Sequence, residues 1–396
     1  MTGLLRVNLF LLLLIAVFDP VDQSHWKAPL FVGVWLIFLV DLVISREGHS
    51  EIPPALYLYT LIFIVVLPLA GALVYLLRGG ETAGYEGLKY WKSYLFLTLC
   101  IPLAAKRINL IRPLTVVLSL LSAATISLYV LASVSEVLRA ELEAFGAATY
   151  TFSLTDRAYG SLTYRGLYFF GSSLLVVAVV HFSYHFVFSA GRAKLLNGFL
   201  LAVNVCGMVM SGSRNNIVVG FLAPLLVFAW YRGNKTRVTM ATVLVAILIA
   251  GFASGIFQAM LSSADESNAT KLDHLHDYVT LFSDWRTLWF GQGFGASFFS
   301  RAWGAQVSLT ELTYLEIIRN YGLLLSPLLF FLILYPLKAL ADPEFRTDHY
   351  LFLGYLSYLY LCIGDPLLLS SSGMLVLAIV LVKVFCNSTQ ISRSSG

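Results

Sequence analysis

The chain has 396 residues, 58% of them hydrophobic and only 12% charged, with a mean hydropathy of +0.80 and a formal net charge of +4. Soluble domains carry about 25% charged residues, so a water-soluble globular protein is excluded, and so small a net charge gives no reason to expect a nucleic-acid partner. A bilayer core about 30 Å thick takes roughly 20 apolar residues per helical crossing, so the length leaves room for about a dozen crossings and one or two large loops.

In chain order, apolar runs predict about twelve helices, near 4–18, 28–45, 54–77, 90–105, 113–133, 166–189, 195–212, 215–231, 238–260, 322–340, 350–364 and 370–386. The fold class expected is an all-α polytopic membrane protein, a single integral membrane domain over 1–396. The first run follows Arg6 like a signal peptide, but Asp19-Pro20 stands where a small-residue cleavage site would be, which favours an uncleaved first helix. Asp41 lies inside the second helix, where a charge needs a partner, and Arg46 is the nearest in sequence. The four cysteines are far apart and show no metal-ligand spacing. His181 and His185 are one helical turn apart without a visible third ligand, so no metal site is expected there.

Cations in short loops set orientation. With a cytoplasmic N-terminus, one side collects 14 Lys and Arg against five Asp and Glu; the other holds 12 cations and 16 acids, Asp41 being counted in its helix. An even helix number then puts both termini in the cytoplasm. Two external loops stand out. The first spans 134–165 and contains Arg157 and Arg165. The second, 261–321, lies between helices nine and ten and includes short helices of its own. Its early part spaces Leu272, Leu275, Tyr278, Val279 and Phe282 at helical intervals, reading as a helix on the membrane surface or capping the bundle. A turn punctuated by Gly291, Gly293 and Gly295 follows, and a further helix is expected from near Ser308.

Several residues could carry chemistry. Ser213-Arg214 sits where helix seven gives way to helix eight; an arginine at a helix start suits an anionic group, and equally suits snorkelling to lipid headgroups. Arg286, between Trp285 and Trp289, reads as a phosphate ligand or as the cation of an aromatic belt. Glu311 could act as a base, yet Ser308-x-x-Glu311 also matches a capping box that would merely start a helix. Helical spacing would align Glu311 with Tyr314, Leu315, Ile318 and Gly322. Arg157 and Arg165 serve equally well as solvated loop charges. Asp365, before Pro366, reads as a loop residue.

This arrangement resembles the O-antigen ligase and polymerase superfamily: Wzy-type polysaccharide polymerases and the ligases that attach O-antigen to lipid A core. The resemblance covers roughly 157–323 and rests on Arg157-x-x-Gly160, Ser213-Arg214, the Arg286-to-Gly293 segment, and Glu311-Leu312-Thr313-Tyr314-Leu315 with Gly322-Leu323. It implies a bacterial inner-membrane glycosyltransferase that takes glycan from undecaprenyl diphosphate at the periplasmic face, with neither metal nor other cofactor. Donor and acceptor would be lipid-linked oligosaccharides, with membrane lipids and a chain-length regulator as further partners. Arg214 and Arg286, helped by Arg157 or Arg165, would hold the diphosphate; Ser213, Tyr314 and Arg319 would contact substrate; Glu311 would be the general base. The ligases have histidine-asparagine where this chain has Glu311-Leu312, which favours the polymerase branch over the ligase. A flippase of the lipid-linked unit would need charges in mid-span, whereas the charges here cluster in loops.

Overall fold

The computed structural model describes residues 2–44, 52–80, 87–159, 162–231, 238–240, 242, 266–342 and 349–394. Helix dominates. Six helices are long and apolar enough to cross a membrane: Lys27–Ile44 (α2), Pro54–Leu77 (α3), Ile111–Val134 (α6), Gly191–Met210 (α9), Arg214–Tyr231 (α10) and Thr313–Leu340 (α13). Further apolar helices join them: Thr2–Phe18 (α1), Leu175–Phe188 (α8), His349–Leu361 (α14) and Ser371–Ser394 (α15), the last apolar over Ser371–Cys386. The expected helix 238–260 falls almost wholly outside the described residues. The architecture is that of a multi-pass helical membrane protein, with little sheet.

The helices are apolar on both sides. Along α1, Leu5, Leu9, Leu12, Leu13, Ala16 and Val17 recur at the three-to-four residue spacing of one buried face, while Leu4, Val7 and Leu11 point outward. On α2, Val32, Leu36, Leu39, Val40 and Val43 are likewise exposed. Water would penalise such a rim, and lipid does not. Asp41 in α2 is balanced by Lys106 across the bundle, rather than by Arg46, which lies outside the described residues.

Local breaks have identifiable causes. In α3 the residues Ile62–Val66 form a π turn ahead of Pro68. Proline has no N–H and its ring crowds the carbonyl four residues back, and a wider turn relieves both. The expected helix 90–105 is Gly87–Leu95 (α4) and Cys100–Ala105 (α5) joined by a 3-10 turn.

The expected loop 134–165 holds a helix, Glu136–Thr149 (α7), and a hairpin of Phe152–Tyr159 (β1) against Leu162–Phe169 (β2). Helix six therefore starts not at 166 but after Gly171. Residues 162–169 alternate rather than repeat by turns. Phe152, Leu167 and Phe169 are buried on one face, while Ser153 opposite Tyr168 and Thr155 opposite Gly166 share the other.

The large loop forms Glu266–Phe282 (α11), Trp285–Phe290 (α12) and a short hairpin, Phe298–Ser300 (β3) with Ala305–Val307 (β4). Of the two readings of its apolar stripe, membrane surface or bundle cap, the exposure of most of the stripe agrees with the first. Leu272, Leu275 and Val279 are exposed, whereas His274, Asp277 and Tyr278 are buried. The inward face is polar because it bonds: Asp277 takes the Arg301 N–H at 2.9 Å, His274 Nδ1 lies 3.3 Å from Ser300 Oγ, and Tyr278 donates to Glu316 at 2.7 Å.

The glycine turn locks this loop to the bundle. Inside α13, Gly322 adopts φ 64° and ψ 176°, which breaks the helix and frees the carbonyls before it. The N–H groups of Gln292 and Gly293 take those carbonyls, on Arg319 at 2.6 Å and Asn320 at 3.2 Å. The Phe294 N–H bonds Gly71 in α3 at 3.1 Å, and a Cβ at Gly71 would lie 2.4 Å from Phe294.

Candidate functional site

A cavity of about 850 Å³ opens where the chain leaves its helices at one end of the bundle. Its walls come from the segment after α1 (Pro20), α4 (Tyr90, Ser93), the β1–β2 hairpin (Ser153, Thr155, Tyr168), the α9–α10 junction (Ser213, Arg214, Asn215), the large loop (Lys271, Trp303, Glu311) and the α14–α15 loop (Gly364, Asp365). These segments adjoin loops that the charge pattern expects on a common side.

Close backbone contact assembles it. A Cβ on Gly166 would stand 2.6 Å from Gly212 Cα, and Gly212 itself has φ 73°, so strand β2 lies directly on the α9–α10 turn. That contact brings Ser153, Thr155 and Tyr168 to the cavity. The next residues start α10, so Arg214 sits at a helix N-terminus with Ser213 beside it; the Ser213 carbonyl accepts the Ile217 N–H at 2.9 Å. The positive end of the helix dipole favours an anion here. Behind the wall, Asn216 donates to Ser211 Oγ at 3.0 Å.

Glu311 lines the cavity from just ahead of α13. The box expected from Ser308 and Glu311 does not form. Helix α13 starts at Thr313 with no side-chain cap from Leu312, and Ser308 Oγ pairs with the Tyr90 hydroxyl at 2.7 Å. Glu316 reaches back to the Thr310 N–H at 2.9 Å and takes the role given to Glu311. Glu311 is therefore outside the helix and not in line with Tyr314, Ile318 and Gly322. Its carboxylate lies 4.0 Å from Lys271 Nζ, a cation on α11 to which sequence spacing attached no role.

Arg319 is not on the cavity wall. It is fully buried and tied to Glu316 by Nε at 2.9 Å and Nη2 at 2.7 Å, with further donation to the Ala296 and Ser308 carbonyls and to Gln292, and with Phe298 stacked 5.0 Å away. It pins the stretch that leads to Glu311. Tyr314 donates to the Leu359 carbonyl at 2.8 Å and packs on Phe330, also away from the cavity. Arg165 is held by Asp156 at 3.1 Å and by the Ala132 carbonyl at 3.2 Å, fastening the hairpin to α6. Burial works against it, but hydrogen bonds from Arg165 and Arg139 hold the Asp156 carboxyl below its usual range. Arg157 lies in β1 opposite Tyr164. Arg286 is exposed, over the Trp285 ring at 5.7 Å, and is not among the residues lining the cavity. Of the expected residues, the cavity thus unites Ser213, Arg214 and Glu311.

Asp365 carried no weight in the sequence, yet it is only 8% exposed and accepts hydrogen bonds from the Tyr168 hydroxyl at 2.7 Å and from Ser173. Burial pushes its carboxyl up to about 6, the two hydroxyls working against that and Glu311 with it. Only the Asp-Pro step marked this loop in the sequence; its burial is a product of tertiary packing. Among the described residues no group of three His, Cys, Asp or Glu side chains could hold a metal ion. His181 and His185 meet edge-on within α8, their ring centres 4.4 Å apart. Compared with known proteins, the chain matches no family model, no characterised protein and no solved structure.

Proposed function

We propose that this protein is a glycosyltransferase that polymerises polysaccharide repeat units carried on undecaprenyl diphosphate, working at the periplasmic face of a bacterial inner membrane. In this reading about twelve spans alternate, both termini are cytoplasmic, and the cavity opens at the outer rim of the bundle. The observation that carries the proposal is Arg214 at the start of α10 sharing one cavity with Lys271 and Glu311. Guanidinium, ammonium and helix N-terminus together suit a diphosphate. Lys271 takes the part that the sequence assigned to Arg286.

The chemistry needs little else. Diphosphate leaves readily once cations stabilise the charge growing on it. The acceptor hydroxyl must lose a proton, for which the cavity offers carboxylates. The volume falls within the range of about 300–1,000 Å³ typical of small-molecule sites, room for a diphosphate and the reacting sugars while the glycan extends into solvent. Holding both substrates at the bilayer edge supplies orientation.

The test is elongation of an undecaprenyl-diphosphate-linked repeat unit by the purified full chain in lipid nanodiscs. The wild type should give a product ladder, and Arg214→Ala should cut its rate by at least about a hundredfold, the loss typical of removing one electrostatic stabiliser. Transfer to lipid A core without elongation would make the protein a ligase. No transfer at all would refute the transferase reading.

A further inference from the structure

Asp365 is the buried ionisable group of the cavity that the scheme above leaves idle. Its loop is held from two sides. Thr313 Oγ1 donates to the Asp365 carbonyl at 2.9 Å, and a Cβ on Gly373 would meet the Leu367 carbonyl at 2.1 Å, so the loop lies flat on the first turn of α15. The neighbouring residue matters as much. A Cβ on Gly364 would stand 3.2 Å from Lys271 Nζ and 3.5 Å from Asn215 Nδ2. Gly364 thus stands against groups suited to grip a diphosphate, and the carboxylate of the next residue lines the same cavity. A carboxylate offers about four lone-pair positions. Tyr168 and Ser173 fill two on Oδ2 and the Leu367 N–H another, which leaves a place for one more donor. Glu311 differs: its side chain is 38% exposed and it faces the Lys271 ammonium.

We propose that Asp365 is the catalytic residue that receives the proton of the acceptor hydroxyl, and that Glu311 positions Lys271 toward the diphosphate. The inference rests on the glycosyl-transfer reading. In the step, the acceptor oxygen bonds to the anomeric carbon of the donor. The bond from that carbon to the diphosphate oxygen breaks, and its electron pair leaves with the diphosphate. The hydroxyl proton passes to an Asp365 oxygen and from there to solvent.

A general base works best when its proton affinity lies near the working pH. Burial brings Asp365 to about 6. The groups facing it are Tyr168 of β2, Lys271 of α11, Arg214 of α10, Glu311 ahead of α13, and Cys362 and Tyr358 at the end of α14. An arriving diphosphate adds negative charge and raises the value further.

The experiment is the pH–rate profile of nanodisc-held full-length protein with the lipid-linked repeat unit, run on wild type, Asp365→Asn, Glu311→Gln and Tyr168→Phe. Asp365→Asn should lose at least about a hundredfold in kcat, with KM for the donor within about threefold. Glu311→Gln should chiefly raise donor KM. Tyr168→Phe removes a donor from the carboxylate, so the acid limb found near pH 6 in the wild type should move upward while the plateau rate survives. An inactive wild type overturns the transferase reading and this proposal with it. An active wild type whose Asp365→Asn variant stays within tenfold in kcat overturns the base assignment alone. Should Asp365→Asn fail to accumulate in the membrane, the Tyr168→Phe profile decides: an unmoved acid limb sinks the assignment.

Discussion

Arg319 tests the difference between a sequence expectation and the structure most directly. The resemblance makes it a substrate contact, whereas the structure makes it a buried strut. Its guanidinium and the Glu316 carboxylate are both 0% exposed and 2.7 Å apart. Replacing Arg319 by Met removes the cation and strands the carboxylate, and breaking a buried pair this way costs about 3–5 kcal/mol. The Ala296 and Ser308 carbonyls also lose their donor, at about 1–3 kcal/mol for each that water cannot reach. Allowing for relaxation, the loss should be about 4 kcal/mol or more, a large part of the 5–15 kcal/mol of net stability typical of a domain. The assay is equilibrium unfolding in mixed micelles at rising denaturing-detergent fraction, alongside membrane accumulation. Glu316→Gln combined with Arg319→Met leaves an amide oxygen for Tyr278 and Thr310 but no buried charge, and should recover more than half of the loss. If Arg319→Met unfolds within about 1 kcal/mol of wild type and its defect lies in donor KM, the strut is refuted and Arg319 belongs on the substrate.

Gly322→Ala should destabilise by about 1–3 kcal/mol from backbone strain alone, and by more because the new Cβ would meet the Trp289 carbonyl at 2.3 Å; the same unfolding assay reads it. Gly364→Ala should keep fold and expression while displacing the Lys271 ammonium, which raises donor KM several-fold with kcat little changed. For Asp365 the folded value is above that of an unfolded carboxyl, so the native state holds a proton that the unfolded chain has released. Stability from this group is therefore greatest below about pH 4, the unfolded value, and falls as pH rises to about 6. The slope should disappear in Asp365→Asn, as unfolding followed across that window will reveal.

What could be read from the chain follows from how local each signal is. The lipid-facing runs of α2, α3 and α10 need only composition, so their positions are legible to within a few residues. Residues 166–169 look helical because they are apolar and adjoin a longer apolar run, but Gly166 and the aromatic alternation serve a strand that touches Gly212. Two acids stand near the start of α13, and it is Glu316, not Glu311, that accepts the Thr310 N–H; no spacing rule carries that information. Ser213 and Arg214 were legible because a polar break between two apolar helices is rare. Lys271 and Asp365 were not, being ordinary loop and helix charges until packing makes them neighbours. Glu311 lines the cavity from outside the helix that the spacing would have put it in.

The same backbone breaks that complicate the sequence also account for the location of the site. Irregular chain at the end of a membrane bundle is tolerable where its freed N–H and C=O groups find protein partners or line a wet cavity. Around this cavity the left-handed Gly212 ends α9, the Gly322 kink is satisfied by the 291–295 turn, and Thr313 takes the carbonyl of Asp365. Each break is stitched to a neighbouring segment. Arg214, Lys271, Glu311 and Asp365 can then share one enclosure without crossing the apolar interior. A bundle built only for transport would place such charges along a path through its middle. Here Asp41, near the end of α2, is paired with Lys106, and Glu316 in α13 is paired with Arg319, while Arg214, Lys271, Glu311 and Asp365 meet at the cavity.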